Sequence, residues 1–267
     1  MATQLVSPAW LHSHLGDDNI IILDASASYE PSQTIAGAQH FDIKNRCSDP
    51  ENPLPNSFPS AVIFEEESQK LGINNTSHII VYDSTGVFTS PRVWFMYKSF
   101  GHDNISVLDG GLPAWKSSGF AVTPTREKKI SKGDFKARLK KENIKSLHDL
   151  EQNINDQTFT LLDARSSGRF KGTAPEPRPQ LQSGHIKNSL NLPYTEVLEN
   201  GKFKSIAMLK ETFTDLRIAN KPIVFSCGSG ITACIILLAY DLISDKPKAI
   251  YDGSWTEWAT EKRLFAE

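Results

Sequence analysis

The chain has 267 residues, 39% hydrophobic and 22% charged, with a formal net charge of −2. At roughly 100–150 residues per domain, this length favours two domains. The near-neutral charge excludes a global basic field of the kind that draws nucleic acid, so an acidic substrate needs a local cluster of arginines.

The N-terminus, Met-Ala-Thr-Gln-Leu-Val-Ser-Pro, lacks a basic region followed by an apolar one, so no secretory signal is expected. The first apolar run, Ile20 to Leu23, ends in Asp24-Ala25, and Gly37-Ala38-Gln39-His40-Phe41-Asp42-Ile43 follows. Ile79 to Tyr82 reads as a buried strand that closes on Asp83. Ser90-Pro91-Arg92-Val93-Trp94-Phe95-Met96-Tyr97 reads as a helix, and Leu108-Asp109-Gly110-Gly111-Leu112-Pro113-Ala114-Trp115 completes the first half. Thr123 to Gly133 is polar and basic with little periodicity, and it reads as a linker.

Beyond the linker the same series returns in the same order. Phe159 to Leu162 leads into Asp163-Ala164, and Gly184-His185-Ile186 opens the next match. Ile223 to Phe225 repeats the buried strand, and Tyr251-Asp252-Gly253-Ser254-Trp255-Thr256-Glu257-Trp258 repeats the last segment. The repeated unit of about 120 residues is far too long for a solenoid and indicates a duplicated domain. The boundaries implied are 1–120, a linker over 121–143, and 144–267. Strands alternating with helices imply a parallel sheet covered on both faces, with ligands at the carboxyl ends of the strands. Thr232 to Leu242 reads as a helix that is apolar nearly all round and therefore packed on both sides. Its core, Ala233 to Leu242, is the longest apolar run, too short for the about 20 residues that cross a bilayer.

Three cysteines, Cys47, Cys227 and Cys234, make neither a disulfide framework nor a zinc pair, and a reduced cytoplasmic setting is the default. Cys47 and Cys234 read as packing residues. Cys227 differs, because Ser226-Cys227-Gly228-Ser229-Gly230-Ile231-Thr232 joins a buried strand to a helix start. Two glycines let the backbone curl, and a curl at a helix N-terminus directs several N–H groups at one point. The amides of Gly228, Gly230, Ile231, Thr232 and Ala233 are the expected donors. A thiolate or a persulfide anion there is stabilised without a histidine base.

Cys-Gly-Ser-Gly-Ile-Thr-Ala resembles the active loop of 3-mercaptopyruvate sulfurtransferases, which are built of tandem rhodanese domains. The Asp-Ala, Gly-His-Ile and Tyr-Asp-Gly-Ser-Trp-Thr-Glu-Trp segments match the same family, so the likeness covers nearly the whole chain. It implies two α/β rhodanese-like domains and sulfur transfer through a Cys227 persulfide, with neither metal nor organic cofactor. It also implies 3-mercaptopyruvate or thiosulfate as donor, and a thiol, thioredoxin-like among others, or cyanide as acceptor. The segment Gly168-Arg169-Phe170-Lys171-Gly172-Thr173-Ala174-Pro175-Glu176-Pro177-Arg178 resembles the one whose two arginines bind the donor's carboxylate and carbonyl, which assigns Arg169 and Arg178. Guanidinium forks match planar carboxylates independently of the likeness, and a rigid Pro-Glu-Pro would hold Arg178. Arg165 is expected to pair with Asp163 or a nearby acid, and the likeness implies that His185 packs and hydrogen-bonds rather than acting as a base.

Thiosulfate-using relatives carry basic residues after the cysteine, whereas Gly228 and Ser229 are neutral, which favours a donor whose charge lies farther away. Thiosulfate:cyanide transfer remains the alternative. A Cys-x5-Arg phosphatase would need arginine at Ala233, and a non-catalytic binding module would have no use for the Cys227 loop. In the first copy Asp83 stands where the second has Cys227 and cannot form a persulfide, so that copy is expected to be non-catalytic. A serine–histidine–aspartate relay proposed in this family matches here only at Ser229. Asn52-Pro53-Leu54-Pro55 stands where relatives have His-Met-Leu-Pro, and Lys44 takes the acid's place.

Overall fold

A computed structural model describes residues 3–125, 130–216, 218 and 220–266. Four residues of the basic linker, Arg126 to Lys129, lie outside that set. The chain forms two compact units. One comprises Met1–Glu51, Phe58–Lys140 and Asn200–Phe203, and the other Asn52–Ser57, Lys141–Glu199 and Lys204–Glu267.

Each unit is built on a five-stranded sheet, and the strand order is the same in both. In the first it runs Leu5–Val6, Ile105–Leu108, His78–Tyr82, Ile20–Asp24, Gln39–His40. In the second it runs Ile144–Lys145, Lys248–Tyr251, Ile223–Ser226, Thr160–Asp163, Leu190–Asn191. All pairings within these two sheets are parallel. The two central strands are the apolar runs ending at Tyr82 and Ser226, as expected of strands with neighbours on both edges. Helices lie between the strands in sequence, so the fold is the α/β class that the alternation predicts. No helix among the described residues is long and apolar enough to cross a membrane.

The helix after each central strand is buried around its circumference. Ser90–Ser99 buries Val93, Trp94, Phe95, Met96 and Tyr97, and Ala233–Asp241 buries every residue through Tyr240. That is why Thr232 to Leu242 reads as apolar nearly all round in sequence. Residues of the linker region pack along the first unit. Phe135 is buried, in ring contact with Phe64, Tyr97 and His102, and its amide donates to the Ile73 carbonyl.

Candidate active site at the Cys227 loop

The Ile223–Ser226 strand is in register with its neighbours through Phe225, opposite Leu162 and Ile250, and Ser226 pairs with Asp163. Cys227 is the next residue and is buried. The loop then turns through Gly230 at φ 81°, a left-handed conformation that glycine adopts without steric cost. The turn brings the Gly230 amide to 3.1 Å from Cys227 Sγ as a donor. The helix begins at Ala233. Ile231, Thr232 and Ala233 donate no hydrogen bond to any described residue. Their amides are the open N–H groups of a helix start.

The first unit shows what such a curl holds. Asp83 ends the matching strand, and its Oδ2 accepts from the amides of Phe88, Thr89 and Ser90 at 2.8, 3.0 and 2.9 Å and from Ser90 Oγ at 2.7 Å. Its Oδ1 accepts from the Thr85 amide at 3.0 Å and from Thr85 Oγ1 at 2.8 Å. A carboxylate thus fills this nest of donors from within. By loop position Phe88 and Thr89 correspond to Thr232 and Ala233, two of the amides left open beside Cys227.

The start of the Cys227 loop is fixed by the Tyr251 to Thr256 turn. Ser254 Oγ accepts from the Cys227 amide at 3.2 Å and donates to the Tyr251 carbonyl at 2.9 Å. The Trp255 amide donates to the Cys227 carbonyl at 2.9 Å, and the Thr256 amide and Oγ1 both donate to the Gly228 carbonyl. Ser254 is fully buried and sits at φ 52°, which costs a non-glycine residue on the order of 1 kcal/mol or more. The matching residue of the first unit is Gly111, at φ 54°, where a β-carbon would lie 2.1 Å from the Gly86 carbonyl oxygen. The serine spends strain on a hydrogen bond that the first copy has no room to make. In sequence this segment carried the internal repeat and a family likeness, and no local signal tied Ser254 to Cys227.

Arg169 lies on the short helix Ser167–Lys171. A β-carbon on Gly228 would fall 2.8 Å from its Nη2, so the guanidinium covers the residue next to the cysteine. Glu176 grips Arg169 at both ends, accepting from Nε at 3.1 Å and from Nη2 at 2.5 Å. The same buried carboxylate accepts from Arg165 Nη1 at 2.8 Å. Arg165 is buried as well, with Nη2 at 2.6 Å from Asp163 Oδ2 and its guanidinium 4.4 Å over the Trp255 ring. Burial works against the charge of Arg165, but Asp163 and Glu176 outweigh it and raise its pKa. The order Asp163, Arg165, Glu176, Arg169 is a chain of alternating charge that fixes the outermost guanidinium.

The Pro-Glu-Pro segment therefore acts through its carboxylate, on Arg169 and Arg165. Arg178 is half-buried, and its side chain makes no ion pair or hydrogen bond with any described residue. Ser229 is half-buried, and Asn56 Nδ2 donates to its Oγ at 3.2 Å and to its carbonyl at 3.3 Å. His185 stacks on Phe170 at 4.4 Å, with Nδ1 3.0 Å from the Phe170 carbonyl oxygen. Cys234 is buried and donates to the Gly230 carbonyl at 3.5 Å. Cys47 is buried too, and burial pushes its thiol pKa well up. The structure thus groups Cys227, Gly228, Ser229, Gly230 and Arg169, and it adds Asn56, Glu176 and Ser254, which sequence reasoning missed.

The family model of the rhodanese-like domain matches residues 7–118 and again 146–261. The chain is 37% identical over 259 residues to the 3-mercaptopyruvate sulfurtransferase of Mus musculus, covering 96% of this chain and 84% of that protein. It is also 37% identical over 275 residues to the thiosulfate sulfurtransferase of Rattus norvegicus, covering 95% and 91%. The crystal structure of SseA from Escherichia coli, described with the rhodanese fold and catalytic mechanism of 3-mercaptopyruvate sulfotransferases, superposes with a TM-score of 0.84. Its identity is 32%, covering 95% of this chain and 99% of that one. With two matches to one domain model, two sheets of one strand order and full-length relatives, the chain belongs to the rhodanese-like family.

Proposed function

We propose that this protein is a sulfurtransferase that takes the sulfur of 3-mercaptopyruvate onto Cys227 and passes it to a thiol or to cyanide. The observation that carries the reading is the pair of loops. One nest of amides is filled by the Asp83 carboxylate, and the other has a cysteine in that place with amides left open. In the proposed step the Cys227 thiolate attacks the donor sulfur and an S–S bond forms. The C–S bond breaks, and its electron pair leaves on pyruvate as the enolate, which takes up a proton. The amides of Gly230, Ile231, Thr232 and Ala233 hold the negative outer sulfur until the acceptor removes it. Arg169 and Arg178 bind the donor's carboxylate and carbonyl, and Ser229 contacts its reacting end. The first unit, with Asp83 in the cysteine's place, performs no transfer.

The test is intact mass after treatment with 3-mercaptopyruvate. The expected result is one added sulfur atom, lost on adding cyanide; an unchanged mass would overturn the proposal. Thiosulfate is the second donor to compare, because a thiosulfate sulfurtransferase is among the relatives. Neutral Gly228 and Ser229 favour mercaptopyruvate, so the ratio of kcat/KM values should favour it. Three free, buried cysteines suit a reducing compartment, and we assign the protein to the cytoplasm.

Gly228→Ala gives a graded test. Its methyl would meet Arg169 Nη2 at 2.8 Å, and the flexible end of the arginine must shift. The fold should survive with little change in Tm. Displacing the guanidinium from the reacting geometry should cost about tenfold in kcat/KM for mercaptopyruvate. Unchanged kinetics would show that the position of Arg169 over Gly228 does not matter to the reaction.

A further inference from the structure

We propose that Asn56 is a positioning residue for Ser229, and that it orients the serine by donating a hydrogen bond rather than by accepting a proton. The inference rests on the sulfur-transfer reading above. Segment Asn52–Ser57 comes from the first half of the chain but belongs to the second compact unit, the one that holds Cys227. Asn56 stands there at φ 59°, in the left-handed region, where asparagine is among the few side chains found with any frequency. Its side-chain nitrogen meets both Ser229 Oγ and the Ser229 carbonyl oxygen, at 3.2 and 3.3 Å. A carboxamide nitrogen has two hydrogens and no lone pair to offer, so in both contacts Asn56 is the donor.

That direction has a consequence for the hydroxyl. With one lone pair of Oγ committed to Asn56, the single O–H of Ser229 must point away from the asparagine. Ser229 stands in the loop between Cys227 and Ile231, and its Oγ donates to no described residue, so its O–H is left for the donor molecule. The hydroxyl can then hydrogen-bond to the carbonyl oxygen on which negative charge develops as pyruvate leaves. A base at the position of Asn56 would draw that O–H toward itself. The chain has no histidine between His40 and His78, so this segment supplies no such base. The amide does not titrate, and Ser229 keeps one orientation across the pH range in which a histidine would switch.

Asn56→Gly isolates the side chain, because glycine adopts φ 59° without strain and the backbone is relieved by the change. Asn56→Asp keeps the shape and replaces a donor with an acceptor, which captures the Ser229 O–H. Both are made in the wild type and in Ser229→Ala, and kcat and KM are measured with mercaptopyruvate and with thiosulfate. Asn56→Gly should lower kcat with mercaptopyruvate about three- to tenfold at nearly constant KM and unchanged or higher Tm, and Asn56→Asp should lower it further. In the Ser229→Ala background neither change should lower kcat again. Full activity of Asn56→Gly overturns the assignment. So does an equal loss with and without the Ser229 hydroxyl, which would make Asn56 a latch on the backbone carbonyl. A wild-type protein that turns over neither donor fails at the earlier step and overturns the sulfur-transfer reading, and this assignment with it.

Discussion

Cys227→Ser should form no persulfide and should lose turnover by about four orders of magnitude or more, with both mercaptopyruvate and thiosulfate. Serine matches the buried cysteine in size, and its oxygen can accept from the Gly230 amide as Sγ does at 3.1 Å. The carbonyl contacts that fix the loop, from Trp255 and Thr256, come from backbone atoms and are retained. Thermal unfolding should therefore differ little from wild type while the mass gain on donor treatment disappears. Cys47→Ser and Cys234→Ser provide the contrast. Cys47 belongs to the first unit, and Cys234 is a helix residue whose thiol donates to the Gly230 carbonyl. Both variants should keep at least part of the activity and the full mass gain. A folded Cys227→Ser protein with near-normal turnover would refute the nucleophile outright.

Arg169→Ala and Arg178→Ala should each lower kcat/KM for mercaptopyruvate by about ten- to a hundredfold, the effect of one charge-assisted contact worth about 1.5–3 kcal/mol. Thiosulfate is a dianion without a carboxylate, so it should lose less. The two arginines should differ in how they respond to lysine. Arg169 is held by Glu176 through both Nε and Nη2, a fork that an ammonium cannot reproduce, so Arg169→Lys should rescue little. Arg178 makes no ion pair with any described residue, and Arg178→Lys should recover more of the lost activity. Removing Arg169 leaves Glu176 still paired with Arg165, so stability should fall only modestly. Equal losses with the two donors would reduce the arginines to a general electrostatic role. No loss with either donor would return them to the surface.

The sequence by itself determined the duplication, the α/β class and the family. Those properties follow from features that are local in the chain: apolar runs of strand length, a helical pattern after each central strand, and segments that recur in one order. The central strands ending at Tyr82 and Ser226 were legible because a strand buried on both sides must be apolar throughout. The curl at Cys227 was legible because two glycines stand beside the cysteine, and Gly230 takes the left-handed turn. Only the tertiary structure decided which side chains complete the surroundings of that curl. Asn56 meets Ser229 across 173 positions of sequence, and Ser254 meets the Cys227 amide across 27. Neither serine nor asparagine carries a pattern that announces a distant partner, since each hydrogen-bonds equally well to water or to its own neighbours. Glu176 lay in a segment already singled out, but its grip on Arg169 and Arg165 depends on how that segment folds back on the strand end at Asp163. Asp83 shows the limit most clearly. As a letter it marked only the loss of a cysteine, and folding alone makes its carboxylate the anion that the nest was shaped to hold.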